Sequence, residues 1–178
     1  MKVGSDPSGK GDFATQLYPE DYWDIRMLIL VTSRDQKKMG STEAMIRSEN
    51  TSPFYQDWVK TSVNDIKEMR KAIAQKDFER TGELAESNAL KMHALTISSN
   101  PPVIYWNETT VRLMHCIREL RRQGIAVYFT IDAGPQIKAL TMPEYEDKLE
   151  NLFSDDPGVI EVINCKAGGG TALIGERD

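Results

Sequence analysis

An acid held at the end of an apolar strand is the strongest local signal for chemistry in this sequence. Residues 126–131 (AVYFTI) run into Asp132-Ala133-Gly134-Pro135. Gly134 permits backbone dihedrals other residues avoid, and Pro135 fixes the exit from the turn. Such a strand end positions a reactive group rigidly while leaving it exposed. Asp132 in that place is either a general base or an acid that caps a β-turn through backbone N–H groups. Local sequence leaves both readings open.

A second constellation is Lys37-Lys38-Met39-Gly40-Ser41-Thr42. Two cations precede a Gly-Ser step that opens a helix, where free N–H groups and the positive end of the dipole suit an anion. The plain alternative is an ordinary helix cap beside a solvated basic loop. A third is residues 88–102 (NALKMHALTISSNPP), which carries His93 next to a proline-broken loop. His93 could donate to a substrate or act as a base, but a hydrogen-bonded structural residue at a helix end is the commoner case, and His93 is not assigned a catalytic role. His115 lies within an amphipathic pattern and reads as structural. Cys165 has no histidine beside it in sequence, which argues against a thiol nucleophile. The run GSDPSGKG near the N-terminus lacks the GxxxxGK[ST] spacing and a preceding strand, so it is no phosphate-binding loop.

The elements that must position these groups follow from periodicity. Residues 23–32 (WDIRMLILVT) read as a buried strand. Ser41-Thr42-Glu43 opens a first helix, a hydroxyl cap with an acid in the first turn, which stops before Pro53. Trp58, Val63, Ile66, Met69 and Ile73 recur at three- and four-residue steps and predict a second helix over 53–74. A third spans 78–95 and ends at Pro101-Pro102. A fourth spans 108–122, closed by Gly124. Strands are expected at 126–131, 137–141, 159–164 and 171–174, with a short helix over 143–153. Five strands and five helices in mixed order give an α+β class, with helices against one face of a mainly antiparallel sheet. Residues 1–12, rich in Gly, Ser, Asp and Lys, read as a loop or leader.

The bulk properties bound the function. At 178 residues the chain suits one core. A formal net charge of −5 argues against a nucleic-acid groove or an anionic membrane as the main partner. Cys116 and Cys165 form no CxxC pair, and with His93 and His115 they make no credible zinc set, so reduced cytosolic thiols are expected. The longest apolar stretch, 27–31, is strand-sized, and no secretory signal pattern is present.

Taken together, GSTEAM, TSPFYQDWV, NALKMHA and YFTIDAGP, in this order and spacing, resemble the mevalonate diphosphate decarboxylases of the GHMP kinase superfamily. The resemblance runs from about residue 24 to 140, and YFTIDAGP carries most of it. It implies a ferredoxin-like, GHMP-kinase C-terminal domain over 21–178, with 1–20 as a leader or linker remnant. It also implies that the N-terminal ATP-binding half of such enzymes lies outside this chain, which alone would then be inactive. The implied activity converts mevalonate 5-diphosphate to isopentenyl diphosphate with release of CO2, ADP and phosphate. ATP and Mg2+ would be held mainly by the other half, present in cis or as a separate chain. Asp132 matches the family's catalytic acid. Ser41 matches a serine of the substrate pocket, Met45 an apolar substrate neighbour one turn later, and Ala133 a residue whose N–H can face substrate. Thr42 stands where some bacterial members place Arg and others Thr. Lys37 and Lys38 can add positive field near the phosphates. A cytoplasmic homodimer, without nucleic-acid or membrane partners, is the expected setting. The alternatives are a phosphomevalonate decarboxylase or mevalonate 3-kinase relative, and a non-catalytic binding or dimerisation module with an exposed Trp23 or Trp58.

Overall fold

The main sheet is built from short runs rich in apolar and β-branched residues. A computed structural model describes residues 2–5 and 12–169. The first two strands, β1 (Lys2–Ser5) and β2 (Asp12–Thr15), pair antiparallel as a separate two-stranded ribbon. Within the stretch 1–12 read as a loop, residues 2–5 and 12 are strand, and residues 1 and 6–11 lie outside the described residues. The main sheet has β3 (Arg26–Val31), β4 (Val127–Thr130), β5 (Ile137–Thr141) and β6 (Glu161–Lys166) in the order β4-β5-β3-β6, every neighbour antiparallel. β6 begins two residues later than predicted, and the strand expected over 171–174 lies outside the described residues.

The helices are α1 (Ser41–Thr51), α2 (Tyr55–Gln75), α3 (Phe78–Ile97), α4 (Glu108–Arg122) and α5 (Glu146–Ser154), the last entered through a 3-10 turn at Pro143–Tyr145. Ser52 ends α1 in an extended conformation, as a residue before proline must. Gly124, at φ 88, takes the left-handed position just past α4.

One face of the sheet and two helices make the core. Leu28 and Leu30 of β3, Val127 and Phe129 of β4, and Ile137 and Ala139 of β5 meet Leu113 and Ile117 of α4 and Leu149 and Phe153 of α5. Helix α3 closes the β4 edge instead of lying on that face. There Gly82 leaves no room for a Cβ beneath the Tyr128 ring. The Phe129 N–H donates to Glu86 Oε1 at 3.2 Å, and Arg121 pairs with Glu86 at 2.6 Å while donating to the Val127 carbonyl. Side chains thereby satisfy backbone groups that an open edge would expose. Helices α1 and α2 pack outward from α3. The opposite face of the sheet carries Met27, Ile29, Val31 and Leu140, all half-buried. Among the described residues no helix is long and apolar enough to cross a membrane.

Candidate active site

Strand β4 stops at Thr130, and the chain turns through 131–136 before β5 returns. Two elements, α4 and the end of β3, brace this turn from behind. The Thr110 hydroxyl of α4 donates to the Pro135 carbonyl at 2.7 Å, and the Thr32 hydroxyl donates to it at 3.2 Å. Gln136 bridges to the end of β3: its Oε1 accepts from the Thr32 N–H at 2.7 Å and its Nε2 donates to the Ser33 carbonyl at 2.6 Å. The start of α4 is itself fixed by a capping box, Asn107 accepting from the Thr110 N–H at 2.8 Å. Within the turn the Gly134 N–H reaches the Asp132 carbonyl at 2.7 Å. So braced, the turn presents the Asp132 side chain outward, 79% exposed.

Opposite the turn stands the first turn of α1. Gly40 caps it without any side-chain bond, so the leading N–H groups keep their capacity for an anion. The Tyr105 hydroxyl donates towards the carbonyls of Met39 and Gly40 at 3.4 Å each, tying this corner to the segment after α3. Burial, with Glu43 adding to it, raises the Tyr105 phenol above its ordinary pKa.

Between the two lies an open cavity of about 340 Å3, lined by Lys37, Ser41, Met45, Tyr105, Asp132 and Ala133. Lys37 Nζ comes within 3.4 Å of the Ala133 carbonyl. Ala44, Met92 and Thr96 complete the wall. Of Asp132, Ser41, Thr42, Met45 and Ala133, the five residues matched through the resemblance, all but Thr42 line one cavity, and Lys37 joins them. Thr42 does not line it; it lies in an adjoining recess with Ile46, Glu49 and Tyr55, sharing Ser41 and Met45 with the main cavity.

His93 is placed differently from both sequence readings. It is fully buried on α3, and neither ring nitrogen has a hydrogen-bond partner. Its ring leans on Trp106, with centroids 4.8 Å apart, and lies edge-on to Tyr105. Burial lowers its pKa to about 4; the backbone of Ile131 and Asp132 and the Asp132 carboxylate offset part of this, without completing a hydrogen bond of normal geometry. A neutral imidazole behind the turn cannot accept a substrate proton directly, because it does not reach the cavity surface. His115 is exposed.

Sequence reasoning missed Tyr105 and Thr96. Thr96 is one helical turn beyond Met92, so a search for helix-face neighbours of the NALKMHA run would have found it. Tyr105 lies in an irregular segment whose direction no periodicity predicts. Lys138 was missed as well: its ammonium lies 2.7 Å from Asp132 Oδ2. Among the described residues no three His, Cys, Asp or Glu converge on a metal position. In this cavity Lys37 and the uncapped start of α1 fit a phosphate.

Comparison with known proteins places this geometry. Residues 27–165 match the family described as "Mevalonate 5-diphosphate decarboxylase C-terminal domain". The diphosphomevalonate decarboxylase of Candida albicans is 29% identical over 154 residues, covering 85% of this chain and 42% of that protein. A crystal structure of mevalonate diphosphate decarboxylase from Staphylococcus aureus is 32% identical with a TM-score of 0.81, covering 91% of this chain and 49% of that one. A structure described as "MDDEF in complex with MVAPP, AMPPCP and Magnesium" is 32% identical with a TM-score of 0.82, covering 92% and 50%. The chain thus spans about half or less of the proteins it matches. With a family match over most of its length, and the fold of those structures, this chain belongs to the mevalonate 5-diphosphate decarboxylase C-terminal domain family.

Proposed function

We propose that this chain supplies the proton-accepting half of an ATP-dependent diphosphomevalonate decarboxylase. The observation that carries the reading is the convergence of Asp132, Ser41, Met45, Ala133 and Lys37 on one cavity, from elements far apart in sequence. ATP with Mg2+ supplies the γ-phosphoryl group that converts the tertiary 3-hydroxyl of mevalonate 5-diphosphate into a leaving group. The chain's own residues bind and orient. Asp132 accepts the hydroxyl proton as the oxygen attacks phosphorus. A tertiary alcohol is a poor nucleophile, so the aim of the carboxylate matters at least as much as its basicity. The Ser41 hydroxyl, the leading N–H groups of α1 and Lys37 hold substrate anion. Met45 and Met92 provide apolar wall against the carbon chain. Loss of CO2 and phosphate then leaves isopentenyl diphosphate. Thr42, in the adjoining recess, contacts the diphosphate only if that group extends around α1.

The relatives' names support the substrate, and the relatives' greater length supports a partner half that contributes the nucleotide site. The test is phosphate release from ATP in the presence of mevalonate 5-diphosphate, with this chain alone and then joined to the N-terminal half of a relative. Turnover is expected in the joined protein. Asp132→Asn should lower kcat there by about 1,000-fold or more while leaving KM within about threefold, as loss of a group acting in the transition state does. Near-normal turnover by that variant would remove Asp132 from its role.

A further inference from the structure

Strand β5 alternates strictly: Ile137 and Ala139 are buried in the core, so Lys138 leaves by the other face of the sheet. It sits between Thr130 of β4 and Ile29 of β3, its cross-strand neighbours, well inside the sheet. A lysine there is unusual chemistry for a strand that is otherwise Ile, Ala, Leu and Thr. Its side chain is only 20% exposed, and a mostly covered ammonium needs a partner. That partner is Asp132 Oδ2 at 2.7 Å. Among the described residues neither side chain makes another ion pair or side-chain hydrogen bond.

We propose that Lys138 is a positioning residue that fixes one oxygen of Asp132, leaving the other aimed into the cavity. The inference rests on the reading of Asp132 as proton acceptor. Asp132 belongs to a turn and is 79% exposed, so its own backbone places it but nothing else on its own segment orients its carboxylate. Lys138 reaches it from the interior of a four-stranded sheet, the stiffest platform nearby. The ammonium's nearest carboxylate atom is Oδ2, at 2.7 Å. A grip through Oδ2 leaves Oδ1 to accept a proton from a hydroxyl bound between the turn and α1. Lys37 holds the same turn from the cavity side through the Ala133 carbonyl. The carboxylate is thus set between two lysines with different tasks: Lys37 lines the cavity and Lys138 lies beneath the acid, outside the lining. Asp132 is 79% exposed, so removing the lysine charge strands no buried carboxylate, and its loss is separable from loss of the fold.

The experiment uses the active protein in which this chain is joined to the N-terminal half, with kcat and KM for mevalonate 5-diphosphate measured for Lys138→Met, Lys138→Arg and each combined with Asp132→Asn. Lys138→Met keeps the length and packing of the stem. It is expected to lower kcat by about 10- to 100-fold with KM within about threefold, the scale on which misaimed groups cost rate. Lys138→Arg keeps the cation and is expected to recover kcat to within about fivefold of wild type. In the Asp132→Asn background, Lys138→Met should cost less than about twofold more, since a residue acting through Asp132 has nothing left to act on. Lys138→Gln, polar and uncharged, serves as a second variant should Lys138→Met fold poorly, and it should fall with Lys138→Met. Overturning results are a kcat within about twofold of wild type for both uncharged variants, or a full additional loss in the Asp132→Asn background. High turnover by Asp132→Asn alone is a different failure: it strikes the proposed function and is read from that single variant.

Discussion

His93 and Asp132 show opposite solutions for a titratable side chain. Asp132 is held at the surface by an ion pair, whereas His93 is sealed against Trp106 with both nitrogens unpaired. Burial depresses the His93 pKa from 6.5 to about 4, so the folded protein holds this imidazole neutral where the unfolded chain would protonate it. The sign follows directly. Stability from this site is fully present above pH 6.5 and is lost as pH falls towards 4, because the unfolded state gains the proton first. The expected loss is about 2 kcal/mol by pH 5 and about 3 kcal/mol below pH 4. Urea midpoints measured at pH 7.5 and pH 5 check this in a range where most carboxylates stay ionised. His93→Met, which buries an apolar chain of similar size, should show a clearly smaller drop. An equal drop in both would assign the pH dependence elsewhere. The sequence suggested a structural histidine at a helix end, but with hydrogen bonds; its sealed, unpaired state depends on Tyr105 and Trp106 packing against it from the segment after α3. Asp132 was legible because a strand, a turn and an acid are local properties. Lys138 was not, because its importance depends on which way a turn two residues upstream points.

Helix α4 is the element that couples the core to the site. Its apolar side packs under the sheet through Leu113, Ile117 and Leu120, and its capped N-terminus braces the turn behind Asp132. The three- and four-residue spacing predicts bounds of 108–122, and the observed helix has those bounds. The cap was harder to foresee, since Asn107 with Thr110 departs from the usual hydroxyl-then-acid order. Asn107 also donates to the Thr32 hydroxyl at 3.2 Å, which in turn donates to Pro135. Asn107→Ala removes the cap and this bridge together, and a loss of about 1–2 kcal/mol in urea unfolding is expected. Because Thr110 would then lose its own anchor, the same variant should speed amide exchange at Gly134 in the turn. A stability loss without that change would mean the turn is held by Gln136 and Thr32 alone. Strand ends were less legible than helix bounds. Residues 23–25 read with β3 as one strand, yet only 26–31 find partners on β5 and β6. The β1–β2 ribbon was invisible because pairing, not composition, makes it.

At the scale of the whole chain the unbalanced feature is an apolar stripe on α2. Val59, Val63 and Ile66 follow one another at four and three residues and are 42%, 58% and 61% exposed. Trp23 and Trp58, one of which the binding-module alternative would expose, are both half-buried. The stripe runs into a cleft of about 470 Å3 between α2 and α3, lined by Leu17, Ile66, Met69, Ile73 and Leu84, larger than the Asp132 cavity and more apolar. A contiguous apolar surface of this kind is normally covered. The relatives carry about as much chain again as is present here, and that remaining half is the occupant we expect. The double substitution Val63→Glu with Ile66→Glu should therefore weaken association with a separately expressed N-terminal half by about 10-fold or more, the scale of losing central apolar contacts. The melting temperature of this chain alone should hold or rise, since charges on an exposed helix face cost little and remove no core contact. Calorimetric titration of one half with the other reads the first effect, and light scattering on this chain reads its self-association. Unchanged affinity between halves, with self-association abolished, would assign the stripe to a second copy of the chain.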